Sequence, residues 1–343
     1  MSTMISIVVP AYRAGQTLQR CLRALSVAGG RLGEEPQKVL VNDGENGDLT
    51  PLTTEHGFGL IDEGPSGSAA IARNRGAARA RSGIIVFVDA DVAVEPDSLL
   101  RLITPIREGV ADATVGNYSE DTTGLGFLQS YKQLYISLVY ARRQGRLRNQ
   151  FWTAVCAIRA DVFHELGGFA PSFKGACDED TDLGFRLTRA GKTVVAVPEA
   201  KGVNLKDFSL KSLVLNDLHK GTSTLLVALQ NRVAVTDNRH ASGGDMLAVA
   251  LACVLPAAPV LGAVAGLRAW ALAAGWVVLA ALYLAARRDL LGVFRRHRGM
   301  GFATLAVGPM FLLDLVRAVC VPRALWRLAW GPPRELALKE DRS

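Results

Sequence analysis

The sequence predicts an α/β fold with a mixed, mostly parallel sheet and flanking helices, followed by transmembrane helices in the last third. Short β-branched stretches alternate with amphipathic ones through the first half, which is typical of strands separated by helices. The last third contains two nearly uncharged stretches of about 20 residues, enough to span a bilayer. Apolar residues make up 49% of the chain, and a soluble part joined to a membrane part explains that share.

Polar residues stand directly after the predicted strands of the first half. Strands are predicted at 5–9, 39–41 and 84–88, with helices at 17–25 and 69–81. Tyr12, Asp43, Asp89 and Asp91 follow these strands. Because ligands in α/β sheets bind beyond the carboxyl ends of the strands, we expect these residues at one ligand site.

The middle of the chain is less regular. We predict a helix at 127–143, a buried strand at 151–158, a helix at 180–190 and a strand at 194–197. The stretch 208–229 either lies on the membrane surface or packs on the domain as an ordinary amphipathic helix. An arginine run at 142–148 either holds an anionic acceptor or forms a solvated face, and Trp152 either stacks on a sugar or fills the core.

The charge of the chain is unevenly placed. Twelve basic and five acidic residues from Arg268 onward account for the whole net charge of +7. The excess therefore lies among apolar stretches, where it meets anionic lipid, and does not indicate a nucleic-acid surface. The five cysteines form no CxxC pair, which argues against structural zinc and fits a reducing cytosol.

Two carboxylates one residue apart, Asp89 and Asp91, follow the apolar strand at 84–88. Magnesium and manganese ions take hard oxygen ligands, and the oxygens of a diphosphate can complete their coordination shell. The position of this pair at a strand end favours a site for a divalent metal, Mn²⁺ or Mg²⁺, bound to a phosphorylated ligand.

Six short segments extend this pattern along the chain. They read Ile7-Val-Val-Pro-Ala-Tyr12, Val39-Leu-Val-Asn-Asp-Gly44, Ala72-Arg-Asn-Arg-Gly76, Phe87-Val-Asp-Ala-Asp91, Gly167-Gly-Phe169 and Glu179-Asp-Thr-Asp-Leu-Gly-Phe-Arg-Leu187. In this order the segments resemble those of the family-2 glycosyltransferases of the GT-A fold, over about residues 4–235. The resemblance implies a cytosolic GT-A domain at 1–235, followed by a membrane domain at 236–343.

The resemblance also implies a nucleotide-diphosphate sugar as donor, with UDP as the expected nucleotide. Pro10, Ala11 and Tyr12 match the loop that borders the nucleotide base. Asp43 matches the carboxylate that accepts a hydrogen bond from the base, and Arg73 matches an arginine near the nucleotide.

The metal site follows from the same resemblance. Asp89 corresponds to the ribose and diphosphate side of the metal motif, and Asp91 to the direct metal ligand. Many members place a metal-binding histidine where this chain has Asn204, an oxygen donor that could still coordinate weakly. A second departure is the segment Asn42-Asp43-Gly44-Glu45, where the family usually reads Asp-Asp-Gly-Ser, so only the second aspartate is kept.

The acidic segment at 179–182 is the expected catalytic one. Asp180 matches the general base of inverting members, with Glu179 and Asp182 as supporting neighbours. A sugar hydroxyl is a poor nucleophile, so inverting transfer needs a carboxylate that takes its proton. Nearby negative charges, including Asp178, would raise the basicity of this carboxylate. Without the resemblance, the same residues would suit the solvated first turn of a helix.

Two stretches, 246–267 and 269–286, are predicted to form a transmembrane hairpin. Five arginines follow it at positions 287, 288, 295, 296 and 298. By the positive-inside rule this loop is cytoplasmic, which places the chain in the inner membrane as a multi-pass protein with a cytoplasmic catalytic domain. A third apolar stretch, 299–321, contains Asp314 and Arg317, and it either spans the membrane, re-enters it or lies in the interface. The basic residues after it, Arg323, Arg327 and Arg334, favour the cytoplasmic side, which argues against a simple third crossing, and the number of crossings stays open.

The leading interpretation is a non-processive, inverting, metal-dependent glycosyltransferase that acts on a hydroxyl of a lipid-linked or membrane-associated acceptor. A processive synthase would carry Gln-x-x-Arg-Trp between Phe185 and Arg239, and no such segment occurs there. One alternative is a polyprenyl-phosphate glycosyltransferase, which needs no general base. A second, non-enzymatic alternative is a degenerate relative that serves as a membrane scaffold.

Overall fold

The computed structural model describes residues 4–44, 46–172, 179–230, 242–266 and 268–330. The chain divides into two compact units. The first is built from Met1–Ser119 and Tyr140–Lys206, and the second from Glu120–Val139 and Asp207–Pro332. The predicted boundary at 235/236 lies outside the described residues and stays a prediction, as do the contributions expected of Glu45 and Asp178.

A mixed sheet forms the centre of the first unit. Its strands are β1 (Ile5–Ala11), β2 (Gln37–Asn42), β3 (Gly59–Ile61), β4 (Ile84–Val88), β5 (Val92–Val94), β6 (Ala113–Tyr118), β7 (Gly145–Leu147), β8 (Val155–Arg159) and β9 (Val194–Asn204). Their order is β3-β2-β1-β4-β8-β6-β9-β5, and β7 pairs with β9. Strands β1 to β4 run parallel to their neighbours among themselves, whereas β8, β5 and β7 pair in antiparallel fashion.

Both faces of this sheet are apolar because helices cover both. Ile7 and Val9 point into one buried cluster, and Val8 between them points into another. Strand β4 is buried throughout, which explains its unbroken apolar sequence. The helices of this unit are α1 (Gly15–Gly29), α2 (Thr50–His56), α3 (Ala69–Ala78), α4 (Ser98–Arg107), α6 (Ala160–Glu165) and α7 (Glu179–Arg189). The arrangement confirms the predicted fold class.

Two strand predictions need correction. Residues 151–154 are buried but not extended in a ladder, and the strand β8 begins only at Val155. Strand β9 continues through Pro198 to Asn204, beyond its predicted end at 197. The register with β6 shifts between Val115 and Asn117, and this irregularity lets the strand continue past the proline.

Helices build the second unit. They are α5 (Phe127–Ala141), most of which belongs here, α8 (Leu210–Gln230), α9 (Gly243–Val264), α10 (Ala269–Ala286) and α11 (Arg288–Trp330). In the described part of the chain, α9, α10 and α11 are long and apolar enough to cross a membrane. Gly299 interrupts α11 with a non-helical conformation, so we distinguish a proximal segment, 288–298, from a distal segment, 300–330.

Candidate active site

Asp89 and Asp91 lie in the turn between β4 and β5. The backbone N–H of Asp89 donates to Ala154 O at 3.2 Å, and the N–H of Val92 donates to Asp89 O at 3.0 Å. Ala90 is buried between the two aspartates, which are both partly exposed. Burial raises the pKa of the Cys21 thiol, and the negative charges of Asp91 and Asp89 add to the rise.

Arg73 joins two carboxylates that are far apart in the chain. Its Nη2 lies 2.7 Å from Asp89 Oδ1, and its Nη1 lies 2.6 Å from Glu179 Oε1. Arg73 and Glu179 are buried, whereas the Asp89 side chain is 31% exposed. Burial alone would lower the pKa of Arg73, but Asp89 and Glu179 raise it above its ordinary value, so the guanidinium stays charged.

The three acidic residues that begin α7 have different environments. Glu179 is buried against Arg73, and Asp182 Oδ2 accepts from Arg186 Nε at 2.8 Å. Asp180 is partly exposed, and its Oδ1 accepts from the backbone N–H of Thr181 at 2.7 Å. Of the three predicted catalytic carboxylates, Asp180 is therefore the one that solvent reaches best.

The turn at 167–169 packs against α3. Asn74 Nδ2 donates to Phe169 O at 2.7 Å, and Phe169 N donates to Asn74 Oδ1 at 3.0 Å. Gly168 has φ +70°, and a Cβ added there would lie 2.7 Å from Asn74 Oδ1. The Arg73 guanidinium lies 5.7 Å from the centre of the Phe169 ring. Two of the short segments noted in the sequence thus form one structure around Arg73.

Asp43 is buried at the end of β2, beside the end of β1. Its backbone N–H donates to Ala11 O at 2.8 Å, and its Oδ1 accepts from Ser66 N at 2.7 Å. Arg75 Nη1 lies 4.0 Å from the same oxygen. The predicted base-binding carboxylate is therefore held in place by backbone contacts from two directions.

Asn46 is a residue of this region that the sequence reasoning missed. Its Nδ2 donates to Ala11 O at 2.8 Å and to Asn42 Oδ1 at 2.9 Å, while its Oδ1 accepts from Ala14 N at 2.8 Å. Asn46 therefore links the loop after β1 to the loop after β2. The loop after β1 includes the half-exposed Tyr12. Its place just after the Asn-Asp-Gly segment was the available signal.

Tyr118 was also missed. It ends β6, and its ring packs on Tyr140 at 5.6 Å, which in turn packs on Trp152 at 4.6 Å. Burial raises the pKa of the Tyr118 hydroxyl, and the neighbouring Tyr140 and the negative charges of Asp89, Asp91 and Asp180 add to the rise.

The alternatives left open for the arginine run and Trp152 are partly resolved. The guanidinium of Arg143 is buried, 4.5 Å from the Tyr140 ring centre and 5.0 Å from that of Trp152. Trp152 is buried and donates from Nε1 to Gly116 O at 2.9 Å. Trp152 thus fills the core, and Arg143 is not part of a solvated face.

Asn204 lies at the end of β9, paired in register with Val92 of β5. The next residue, Leu205, donates its N–H to Asp91 O at 2.7 Å, so the two strand ends are joined. Asn204 Oδ1 accepts from Lys206 N at 2.9 Å, and its role as a metal ligand stays a prediction.

The side chains available as metal ligands show whether the site fits a divalent metal ion. In the part of the chain that the structure describes, no three His, Cys, Asp or Glu side chains converge as a metal site. Asp89 and Asp91 offer partly exposed, hard carboxylate oxygens at one turn. This set fits a Mg²⁺ or Mn²⁺ ion that takes its other ligands from water and a bound diphosphate, and not a metal held by protein alone.

Comparison with known proteins shows which families and structures this chain is similar to. Residues 6–167 match the model of glycosyl transferase family 2. The chain is 28% identical over 123 residues to the glycosyltransferase GlyG of Streptococcus pneumoniae, covering 34% of this chain and 40% of that protein. It is 25% identical over 211 residues to the glycosyltransferase AglE of Haloferax volcanii, covering 57% and 66%.

A third relative is the undecaprenyl-phosphate 4-deoxy-4-formamido-L-arabinose transferase of Klebsiella pneumoniae, 25% identical over 183 residues, with 49% of this chain and 54% of that protein covered. The matches thus span about half the length of these curated relatives. Among solved structures, the mannosyltransferase PcManGT from Pyrobaculum calidifontis, in complex with GDP-Man and Mn²⁺, superposes with a TM-score of 0.60 and 17% identity, covering 94% of this chain and 87% of that one. This likeness shows the fold.

Proposed function

Because residues 6–167 match the model of glycosyl transferase family 2, we propose that the chain transfers a sugar from a nucleotide-diphosphate donor to a lipid-linked or membrane-associated acceptor. The reaction uses a hydroxyl as nucleophile, inverts the configuration at the transferred carbon and adds one sugar per cycle. UDP is the proposed nucleotide of the donor, although the solved structural neighbour contains GDP-Man.

The observation that carries this proposal is the position of Arg73 between Asp89 and Glu179. Asp89 begins the metal motif, and Glu179 precedes the proposed base, Asp180. One buried, charged guanidinium therefore connects the part of the site that holds the leaving diphosphate with the part that activates the acceptor. Buried ion pairs of this kind are costly unless well satisfied, which argues for a positioning role.

Asp180 is the proposed general base. It takes the proton of the acceptor hydroxyl as the oxygen attacks the sugar carbon, and the bond to the diphosphate breaks on the opposite face. Its partial exposure leaves it accessible to an acceptor, whereas Glu179 and Asp182 are occupied by arginines. These two neighbours therefore act as positioning residues.

On the donor side, Asp43 and the loop of Pro10, Ala11 and Tyr12 bind the nucleotide base in this proposal. Asp91, with Asp89, holds the divalent metal. When bound, the metal neutralises the charge that develops on the leaving diphosphate.

Membrane attachment is proposed from α9 and α10, which are long and apolar enough to cross a membrane. Arg288, Arg295 and Arg296 are exposed directly after this hairpin, and the positive-inside rule assigns them to the cytoplasm. We therefore place the protein in the inner membrane with its transferase domain on the cytoplasmic side.

A second candidate is transfer to a polyprenyl phosphate. Curated relatives from Klebsiella pneumoniae and Pseudomonas fluorescens are undecaprenyl-phosphate sugar transferases. A phosphate oxygen is already a nucleophile and needs no base, so Asp180→Asn distinguishes the two candidates. Transfer to a hydroxyl would fall at least 100-fold, whereas transfer to a phosphate would remain.

The first experiment measures binding of UDP, GDP and CDP to the solubilised full-length protein, with and without Mn²⁺. We expect metal-dependent binding of one nucleotide that is lost in Asp91→Ala and kept in Glu165→Ala, an exposed carboxylate outside the site. If no nucleotide binds under any condition, the transferase proposal fails and a degenerate membrane scaffold becomes the better account.

A further inference from the structure

Asp314 lies within the third apolar stretch, yet it is fully buried and bound by three side chains of the second unit. Arg287 donates from both Nε and Nη2 to its carboxylate, with an Nε–Oδ2 distance of 2.9 Å. Tyr283 Oη donates to Oδ2 at 2.8 Å, and Arg317 Nη1 donates to Oδ1 at 2.8 Å. The carboxylate is therefore held at one fixed place beside the end of α10.

The ion pairs of Arg287 show where Asp314 lies along the axes of the hairpin helices α9 and α10. Arg287 directly follows α10, and it also forms an ion pair with Asp245 in the first turn of α9. The start of α9 and the end of α10 thus lie side by side, as expected for a hairpin. Asp314 accordingly lies at the level where the hairpin begins and ends, and not at the middle of its helices.

This position of Asp314 is incompatible with a third transmembrane helix that enters the bilayer at Gly299. Asp314 is 15 residues beyond Gly299, so a helix entering the bilayer there would carry it about 22 Å deeper. That is further than the side chain of Arg287 extends from the end of α10. The third apolar stretch therefore does not run into the bilayer from its predicted start.

The distal segment exposes apolar side chains on both sides of Asp314. Met300 and Leu305 are exposed before it, and Leu325, Trp326 and Trp330 after it, with Leu305 at 70% and Trp330 at 78%. If the helix stood upright with Asp314 at the bilayer boundary, one of these groups would lie in water. A helix in the plane of the interface gives both groups the same apolar surroundings.

Packing of the distal segment on α8 is a second, independent observation. Arg317 Nη2 donates to Asp217 Oδ2 at 2.9 Å, and a Cβ at Gly221 would lie 2.8 Å from Cys320 Sγ. Lys132 of α5 also pairs with Asp217, at 2.6 Å. Neither α5 nor α8 is among the helices apolar enough to cross a membrane. The middle of the distal segment thus packs on helices that stay outside the bilayer core.

We propose that the distal segment, 300–330, is an interfacial helix that lies flat in the headgroup and acyl boundary on the side where α9 begins. Its partner is the bilayer surface itself, which covers the exposed apolar stripe. Helices α9 and α10 are then the two crossings of the described chain. This proposal rests on membrane insertion of the hairpin and is independent of the transferase chemistry.

The test measures the depth of spin labels on the full-length protein in lipid vesicles, in a background without the native cysteines. Leu305→Cys and Leu325→Cys report the two ends of the distal segment, and Trp276→Cys, exposed on α10, gives the depth of a crossing helix. We expect equal, shallow depths at 305 and 325 and a deep label at 276. A transmembrane helix would separate the first two by about 30 Å, and that result would overturn the proposal.

A labelling experiment checks the sides of the membrane. Gly266→Cys, in the hairpin turn, should react with an impermeant maleimide from the side opposite to Arg296→Cys, and Trp330→Cys should react from the same side as Arg296→Cys. Reaction of residue 330 together with residue 266 contradicts the interfacial helix. If the cysteine-free background does not fold, a C-terminal green fluorescent protein on the otherwise native chain gives the same comparison, because it fluoresces only in the cytoplasm. A dark fusion on an inserted protein overturns the proposal.

Discussion

The side chain of Asn74 and the backbone of Phe169 exchange two hydrogen bonds across 95 residues of the chain. The preceding residue, Arg73, lies over the Phe169 ring and binds Asp89 and Glu179. The two hydrogen bonds therefore fix the turn at 167–169 against the helix that carries the central arginine. Arg73 is thus positioned by the hydrogen bonds of the adjacent Asn74 as well as by its own ion pairs.

This contact predicts different costs at two adjacent glycines. Gly167 and Gly168 have φ values of +73° and +70°, so alanine strains the backbone at both by about 1 kcal/mol. Only at Gly168 does the added Cβ meet Asn74 Oδ1, at 2.7 Å, whereas nothing lies within 4 Å at Gly167. Gly168→Ala should therefore lower the free energy of unfolding by about 1–3 kcal/mol more than Gly167→Ala, because the exchanged hydrogen bonds are disturbed.

Chemical denaturation of the two variants, with the wild type as reference, measures this difference. Equal unfolding free energies for Gly167→Ala and Gly168→Ala would show that the Asn74 contact contributes nothing. Nucleotide affinity should fall in Gly168→Ala as well, since Arg73 loses part of its support.

Glu179 and Asp180 should respond differently to neutral isosteres. Asp180→Asn should lower the rate of transfer to a hydroxyl by about 10²–10⁴-fold and leave thermal stability unchanged, because the side chain is partly exposed. Glu179→Gln should destabilise the fold by about 3–5 kcal/mol, because it leaves the buried Arg73 with one carboxylate instead of two. Transfer assays and thermal unfolding on the same preparations separate the effects. A stable, inactive Glu179→Gln would instead make Glu179 the better candidate for the base.

Removal of the Asp314 charge should destabilise the second unit. Asp314→Asn leaves Arg287 and Arg317 beside a neutral amide in a buried place, which should cost about 3–5 kcal/mol. Asp289→Asn, an exposed carboxylate beside exposed Arg288, serves as the matched control and should have little effect. Thermal unfolding in detergent provides the measurement. Equal midpoints for the two variants would contradict the importance of the buried network.

Acid should weaken the second unit through Asp217. Burial would raise the pKa of this carboxyl, but Lys132 and Arg317 outweigh it and lower the pKa from 3.8 to about 2. Because the folded state binds the proton less readily than the unfolded chain, the stabilisation is complete above about pH 5 and is lost as the pH falls towards 2. The unfolding midpoint of the wild type should therefore fall more steeply from pH 5 to pH 2 than that of Asp217→Asn. Parallel pH profiles would show that another group dominates.

Local features of the site were predictable from sequence. Strand β4 is an unbroken apolar run that ends at Asp89, and this pattern alone places the carboxylate pair at a strand end. The resemblance added Arg73 and Asp180. Contacts over long sequence distances were not predictable, because no local pattern encodes them. Glu179 stands 106 residues from Arg73 in the chain. Residue spacing gave no indication that Glu179, and not Asp180, would be buried against this arginine.

Other misses have individual physical causes. The strand predicted at 194–197 was too short, because an irregular register with β6 lets β9 continue to Asn204. Asp314 in an apolar stretch was ambiguous because its partners come from other helices, Arg287 above all. Tyr118 ends strand β6, which periodicity did not predict, so its contact with Tyr140 became visible only in the structure.

The parallel strands β1 to β4 have a consequence for engineering. They are connected by α1, α2 and α3 within one uninterrupted piece of chain, from Ile5 to Val88. Such a piece could be exchanged as a cassette between related proteins to build chimeras. Among the contacts that cross its boundary is the ion pair between Arg73, inside the cassette, and Glu179, outside it. Compatible parents for such recombination are therefore those that preserve this arginine–glutamate pair.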